Sequence, residues 1–559
     1  EIHERLVGSE MCIRDRIRGK YMNKNIRWAA GVIIVAAISG VLFTKNNDGD
    51  VSKVRTLQVM MKDDVMTMNP IMTTDIYSSQ AQDQVYEGLY RYKGNKVVPA
   101  MAEKIVKPSQ NGTVYTFKIR DNAKWSNGDK VTAQDFVTAI RATADPKTKS
   151  QASADAISIM KNYDSVHVGA MTPDKLGVKA IDSHTVQITL TQATPSFDKL
   201  ATAIIPVNTK NYAKWGNKYG TASEYMVTNG AYQMNGWTGT NSSFMFTKNS
   251  NYWSAKRVQI EKVKVRVIKT PMTAANEFKN KHLDIAQLSD EYIKTYKNTK
   301  YYHATPQAVV RGIYFNETSD KTNNQHLRQA FGYLIDREAI TSNVMNDGSM
   351  PQSNAVSKGI MTNPITGADF TKDAGTQFKV DKKKAQSEWS AYLQSIGKNN
   401  ATFTMTFDDD STSRKVGAYI QYAAEHTFKG ISINTKYVPH SQVVSEVLKQ
   451  DFDMVNIGLS VNVPDAAYPL AIGKTGYGLN FSKVSDKTYD GYLTMAATQV
   501  SDTKKRYETL QVANEYFTKI KAYMVPIYQP VTANVVTDKI GGFKGNSFHS
   551  PAYQDMYWK

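Results

Sequence analysis

The chain has 559 residues, 41% hydrophobic and 21% charged, which excludes a disordered or collagen-like polypeptide and allows two or three domains with full cores. Its 69 Lys and Arg against 51 Asp and Glu give a formal charge of +18. These basic residues are scattered, and the longest cluster is Lys382-Lys383-Lys384. That pattern argues against a nucleic-acid-binding arm and for a diffuse basic surface among anionic wall polymers or lipid headgroups.

In chain order, residues 1–16 (EIHERLVGSEMCIRDR) fit neither a targeting peptide nor a globular pattern and read as a sequencing-adaptor remnant. Residues 1–21 are therefore set aside as a non-native extension. The single cysteine, Cys12, falls there, so the rest of the chain offers no disulfide, thiolate metal site or cysteine nucleophile. From Met22, Lys24 and Arg27 precede the apolar run 28–43, which is shorter than the roughly 20 residues a bilayer span needs. Residues 22–45 are expected to be a signal peptide or an uncleaved anchor that places the body outside, at the extracellular face of the cytoplasmic membrane. No cysteine follows for lipid attachment. The polar run TKNNDGDVSK that begins at Thr44 continues into a linker over 46–53.

Beyond the linker, strand and helix patterns mix without a repeat. Alternation predicts strands over 114–119, with Tyr115, Phe117 and Ile119 inward, and over 184–190, with Val186, Ile188 and Leu190 inward. Val263, Val265 and Val267 mark another. Thr132 and Asp135 predict a capping box before a helix that carries Phe136, Val137 and Ile140 and closes at Pro146. Leu327, Ala330, Phe331 and Leu334 predict an amphipathic helix, and Asp336 caps a second one with Ile340 and Val344. Lys382–Lys384 fall on the solvated face of a helix leading into Trp389 and Tyr392. Tyr507, Leu510, Phe517 and Ile520 predict a late helix stopped by Pro526, with strand character from 527 to 536. These elements suggest an α+β or α/β chain in two lobes: 54–302 with a subdomain at about 94–226, then 303–524, with 525–559 returning to the first. Two crossings between lobes make a hinge, and a hinge makes a cleft that can close on a ligand.

Five local motifs then carry a resemblance. They are Met68-Asn-Pro70 with Val85-Tyr-Glu-Gly-Leu-Tyr90; YTFKIRDNAKWSNG over 115–128 running into VTAQDF at 131–136; Thr228-Asn-Gly-Ala-Tyr232; Asn251-Tyr-Trp253; and Leu327-Arg-Gln-Ala-Phe331 with Ile335-Asp-Arg-Glu338. In this order the chain resembles the oligopeptide- and dipeptide-binding proteins of ABC importers, the extracellular solute-binding proteins of family 5. The resemblance implies a periplasmic-binding-protein-like fold of the large three-domain, type II class, with an interlobe cleft, and a protein that works as a monomer. It implies a peptide ligand delivered to a membrane ABC permease, with no nucleic acid, no cofactor and no catalysis. A surface signalling or adhesion receptor on the same fold, such as one that binds a peptide pheromone, or a binder of a non-peptide solute, is the alternative. Trp125 and Trp253 are expected to anchor the core, and Gly128 and Gly230 to serve turns with positive φ.

The same resemblance implies ligand contacts from Asp75, Ile76 and Tyr77 on one wall and from Gly458, Leu459, Ser460, Val461, Asn462 and Asp465 on the other. Main-chain pairing along both walls would bind an extended peptide with little regard to side chains. Relatives often carry G-W-x-A-D-Y here, whose Asp holds the peptide's ammonium. Leu459 replaces that Trp and Asn462 that Asp, so either Asp465 supplies the charge or the ligand has no free amino terminus at this point. The ring that relatives present after a D-P-x-T motif is absent from SQASA at 150–154. Elsewhere, Asp408-Asp-Asp410 reads as a helix cap rather than a metal site. Gly473-Lys-Thr475 lacks the glycine that a phosphate loop needs, and neither H-E-x-x-H nor G-x-S-x-G occurs.

Overall fold

The computed structural model describes residues 54–559 except 95, 151–155, 290 and 462. Cys12, the apolar run 28–43 and the linker lie outside the described residues, as do residues 151–154 of the SQASA stretch. No helix among the described residues is long and apolar enough to cross a membrane.

Two large sheets organise the chain into two lobes. The first sheet runs β11 (Tyr302–Pro306), β18 (Val531–Val536), β10 (Ile285–Leu288), β1 (Thr56–Met61), β9 (Lys262–Val267), β8 (Ser243–Lys248), β7 (Tyr232–Asn235). The second runs β13 (Met350–Pro351), β17 (Met524–Gln529), β12 (Arg311–Phe315), β16 (Met454–Gly458), β14 (Ala401–Asp408), β15 (Ile431–Val438). A smaller sheet orders β4 (Val114–Lys118), β6 (Thr185–Thr189) and β5 (Val178–Asp182). Two pairs complete the set: β2 (Tyr90–Lys93) with β3 (Lys96–Pro99), and β19 (Ile540–Gly541) with β20 (Tyr557–Trp558).

Alternation along β12 shows why the second sheet is covered on both faces. Ile313 and Phe315 pack with the helices Gln325–Leu334 and Ser411–Thr427, while Tyr314 joins the opposite core with Val443, Tyr489 and Leu510. Cover on both faces is what such a strand pattern demands of this mixed sheet, parallel from β15 through β14 to β16 and antiparallel from there to β13. The chain passes between sheets at residues 307–310 and again at Pro530. Both passages come later than the expected borders at 302 and 524, because Tyr302–Pro306 pairs with β18 and Met524 pairs with Tyr314. They are tied together: Gln307 N donates to Pro530 O (2.9 Å), and Gln529 Nε2 donates to Gln307 O (2.8 Å).

The motifs of the first lobe meet in one knot. Glu87 is buried and accepts from Tyr252 Oη and from Trp253 Nε1 (2.7 Å), while Asn229 bonds the main chain of Glu87 in both directions (3.1 and 2.8 Å). Ser126 N donates to Thr228 O (2.7 Å), which brings in the 115–128 stretch. Asp135 accepts from the Thr132 amide (2.9 Å) and from Trp125 Nε1 (3.1 Å), so the helix-start residue also fixes the buried Trp. Arg120 lies 3.9 Å over the Trp253 ring, which is only half-buried.

Some expectations need correction. Gly128 has the positive φ (+92°), but Gly230 does not; a Cβ there would stand 2.6 Å from the Val85 carbonyl carbon, so close chain approach excludes a side chain. Pro526 does not stop a helix. The late helix Thr503–Glu515 widens into π-turns over Tyr516–Ile520 and ends there, with Ile520 exposed, and Pro526 lies inside β17. The β17–β12 register shifts at Arg311/Gly312, and this irregularity accommodates a residue without an N–H. The helix capped by Asp336 likewise continues as π-turns over Ile340–Met345, leaving Val344 half-buried.

The arginine of the L-R-Q-A-F motif has a pH consequence. Arg328 Nη1 sits 2.7 and 3.0 Å from the two oxygens of Glu317, both side chains being buried. Burial pushes the Glu317 carboxyl up to about 7 despite that guanidinium. A raised carboxyl gives stability that is complete below its unfolded value near 4.5 and is lost as pH rises through about 7. Glu317→Gln is therefore expected to remove part of the fall in urea midpoint between these pH values. Identical slopes for the two proteins would contradict it.

Candidate functional site

β14, β15 and β16 run parallel, so their ends at Asp408, Val438 and Gly458 open on one edge of the second sheet. In open α/β sheets that edge is where ligands bind. β12 begins beside it, Arg311 pairing with Gly458 directly after the passage between lobes. A Cβ on Gly458 would meet Val310 O at 2.7 Å, so this strand end must be glycine.

Leu459 and Ser460 continue past that last ladder pair, Leu459 half-buried against the second-lobe core and Ser460 exposed. Val461 turns into the second-lobe core and its amide donates to Ala308 O (3.0 Å). Its N–H is thereby committed within the protein, and Val461 supplies no donor to a ligand. Asn462 lies outside the described residues. Val463 is buried in the core of the first lobe.

Asp465 does not offer a free carboxylate. It is 2% exposed and gripped by Arg506, with Nη1 and Nη2 each 2.9 Å from a carboxylate oxygen, while Lys199 Nζ stands 3.9 Å away. Burial alone would raise its carboxyl, but the charges of Lys199 and Arg506, and hydrogen bonds from Arg506 and the Ala467 amide, outweigh that and hold it below the usual range. In this structure the Asp465 carboxylate is bonded to Arg506 and shared with Lys199.

On the first lobe, Asp75 caps the helix Ile76–Val85, its carboxylate accepting from the Ser78 amide (2.7 Å). Ser78 Oγ accepts from the amides of Met66 (2.9 Å) and Thr67 (3.1 Å), fixing the neighbouring loop. Ile76, 63% exposed, presents bare apolar surface at this helix start, and Tyr77 packs half-buried against the core. Burial, then the charges of Asp63 and Asp75, raise the Tyr77 phenol. The candidates thus stand on two lobes, Asp75–Tyr77 on one and Gly458–Val461 on the other.

Sequence reasoning missed the charged frame around the second segment. Arg311 Nη1 reaches around the end of β16 to Asp408 Oδ2 (2.7 Å), whose other oxygen meets His440 Nδ1 (2.8 Å). Asp410 caps the helix Ser411–Thr427 as expected, accepting from the Ser413 amide (2.9 Å). Asp409 is held by Arg414. No local pattern announces Arg311, Lys199 or Arg506, because their partners lie far along the chain. A separate recess lies under the C-terminal segment, and none of the eight described candidates lines it. Within its lining His549 pairs with Asp83 (3.2 Å) and Arg91 with Asp555 (3.4 Å).

Comparison with known proteins agrees with this architecture. Residues 96–481 match the bacterial extracellular solute-binding proteins, family 5 (Middle). A dipeptide-binding protein of Lactococcus lactis subsp. cremoris (strain MG1363) is 30% identical over 540 residues, covering 93% of this chain and 96% of the relative. The structure of Listeria monocytogenes OppA bound to peptide superposes with a TM-score of 0.71 at 29% identity, covering 91% of this chain and all of that one (100%). The pheromone receptor PrgZ, solved for its mode of peptide binding, gives 0.72 at 29% identity over 90% of this chain and 99% of its own. The fold, the converging motifs and a match across most of the chain lead to one assignment: this protein belongs to the bacterial extracellular solute-binding proteins of family 5.

Proposed function

We propose that the protein captures peptides outside the cell and delivers them, unaltered, to the permease of an ABC importer. The observation that carries this reading is the continuation of β16 past its last ladder pair into Leu459 and exposed Ser460, at the C-terminal edge of the second sheet and beside the passage between lobes. A strand end with unpaired main chain accepts an extended peptide by strand addition, which gives affinity without a fixed side-chain sequence. Gly458 to Ser460 form one wall. Asp75, Ile76 and Tyr77 form the other, with Ile76 supplying apolar contact. Val461 and Asp465 brace the first wall from behind. Asn462 brings no charge, so a ligand's amino terminus is not held by a carboxylate at that position. A ligand touching both walls favours the closed state by its differential contacts. The three relatives named above, each a peptide binder by name, support the substrate class. The protein acts as a monomer, exported by the segment 22–45 and needing neither cofactor nor catalytic group.

Native mass spectrometry of the purified protein tests the reading, with co-purifying peptides expected. Only non-peptide solutes, or none in any preparation, would refute it. Ser460→Pro removes one donor and restricts the wall, and is expected to weaken peptide binding about tenfold in calorimetry. Its melting temperature should stay within about 2 °C of the parent, since Ser460 is exposed. Unchanged affinity would move the groove elsewhere.

A further inference from the structure

The segment that follows the groove wall is shared between the two lobes. Val461 is buried in the second-lobe core, Val463 in the first-lobe core, and Tyr468 packs against both. Lys199 reaches it from the first lobe. It stands on the short helix Phe197–Leu200, whose Phe197 and Leu200 are both buried in the first-lobe core, so its base is fixed. Lys199 Nζ donates to Pro464 O (2.5 Å) and lies 3.9 Å from Asp465 Oδ2. The Asp465 carboxylate is thereby shared between Arg506 of the second lobe and Lys199 of the first.

We propose that Lys199 is the first-lobe anchor of the groove wall: by holding the Pro464 carbonyl and the Asp465 carboxylate, it sets the position of Leu459 and Ser460 relative to the opposite wall. It touches no ligand and acts as a positioning residue. The geometry gives the reason. Only one residue separates Val461, which ends the wall, from Val463, which is held in the other lobe, so a displacement at Pro464 has little chain in which to dissipate. The Lys199 side chain is also partly open to water (25% exposed), so its pull on Asp465 is weakened by salt, whereas the bidentate Arg506 pair is too buried to respond. The effect on ligand rests on the peptide reading above, while the anchoring does not.

Two measurements on the full chain separate these. In the ligand-free protein, Lys199→Met is expected to speed amide hydrogen exchange across 459–466 at least tenfold while leaving exchange in β14 and β15 unchanged. Equal exchange in the two proteins would overturn the anchor whatever the ligand proves to be. With a peptide recovered by native mass spectrometry as probe, Lys199→Met is expected to raise Kd about tenfold through a faster off-rate and to abolish the rise of off-rate with salt expected of the parent. Lys199→Arg, which restores charge and donors, should recover both within about threefold. An off-rate unaffected by Lys199→Met, or one that Lys199→Arg fails to rescue, would overturn the positioning role. A parent protein that binds no peptide would refute the substrate class and leave the exchange experiment to decide the anchor.

Discussion

Replacing Asp465 with alanine is expected to lower the unfolding free energy by about 3–5 kcal/mol, the cost of leaving a buried charge without its partner. Arg506 is 6% exposed, and its two terminal nitrogens each find their hydrogen bond on Asp465. Without the carboxylate, that guanidinium has neither water nor a substitute acceptor, and Lys199 adds repulsion from the other lobe. Replacing both members, Asp465→Leu with Arg506→Leu, should recover most of the loss, because a buried pair exchanged for apolar volume is often close to neutral. The Asp465 carboxyl lies below its usual range, so its stabilisation is present above about 3.8 and lost as pH falls through the lowered folded value. The alanine variant should therefore show a smaller loss of stability on acidification than the parent. Urea midpoints across pH read both effects. A variant as stable as the parent but unable to bind peptide would return Asp465 to the role of a ligand contact.

Glu87→Ala is expected to cost a similar amount, about 3–5 kcal/mol, by stranding several buried groups together. Trp253 Nε1 loses its acceptor, Tyr252 Oη is left with Gln554 Oε1 (3.0 Å), and Arg91, 3.4 Å from the carboxylate, loses one of its two charge partners. Burial raises the Glu87 carboxyl, while Arg91, Trp253, Tyr252 and Arg120 pull it down without fully compensating. The main-chain bonds from Asn229 would survive, so the chain should keep its path while the side-chain knot loosens. Glu87→Gln keeps an acceptor for the Trp253 N–H and should lose less than half as much. Calorimetric melting of the two variants makes the comparison, and an alanine variant within about 0.5 kcal/mol of the parent would show that the knot is not a stabilising centre.

Elements whose signal is local were readable in the sequence. β4 and β6 follow their alternation, with Phe117, Val186 and Ile188 fully buried, and the helix Gln325–Leu334 buries Leu327, Ala330, Phe331 and Leu334 as its spacing predicts. What failed depended on distant chain. Pro526 looked like a stop because the register shift that admits it comes from β12, some two hundred residues earlier. Gly230 looked like a turn because only the fold brings Val85 against it. The pairing of Asp465 with Arg506 was equally unreadable, because nothing near it in sequence announces that arginine. The candidate segments were named through resemblance, and the structure places them at a strand end and a helix start, framed by charges that no local pattern announced. The π-turns at Ile340–Met345 and Tyr516–Ile520 leave no mark in residue spacing distinct from an ordinary helix.

The place of β18 in the first sheet has a consequence for how the molecule is made. This strand, Val531–Val536, lies between β10 and β11, pairing with both, although both precede it far back in the chain. Until it arrives, β10 and β11 each show an unsatisfied edge and the sheet begun at Thr56 stays divided. Pairing between segments so distant in sequence is slow. Until β18 is made the first lobe therefore remains loose and threadable, and it locks only once this strand has joined β10 and β11.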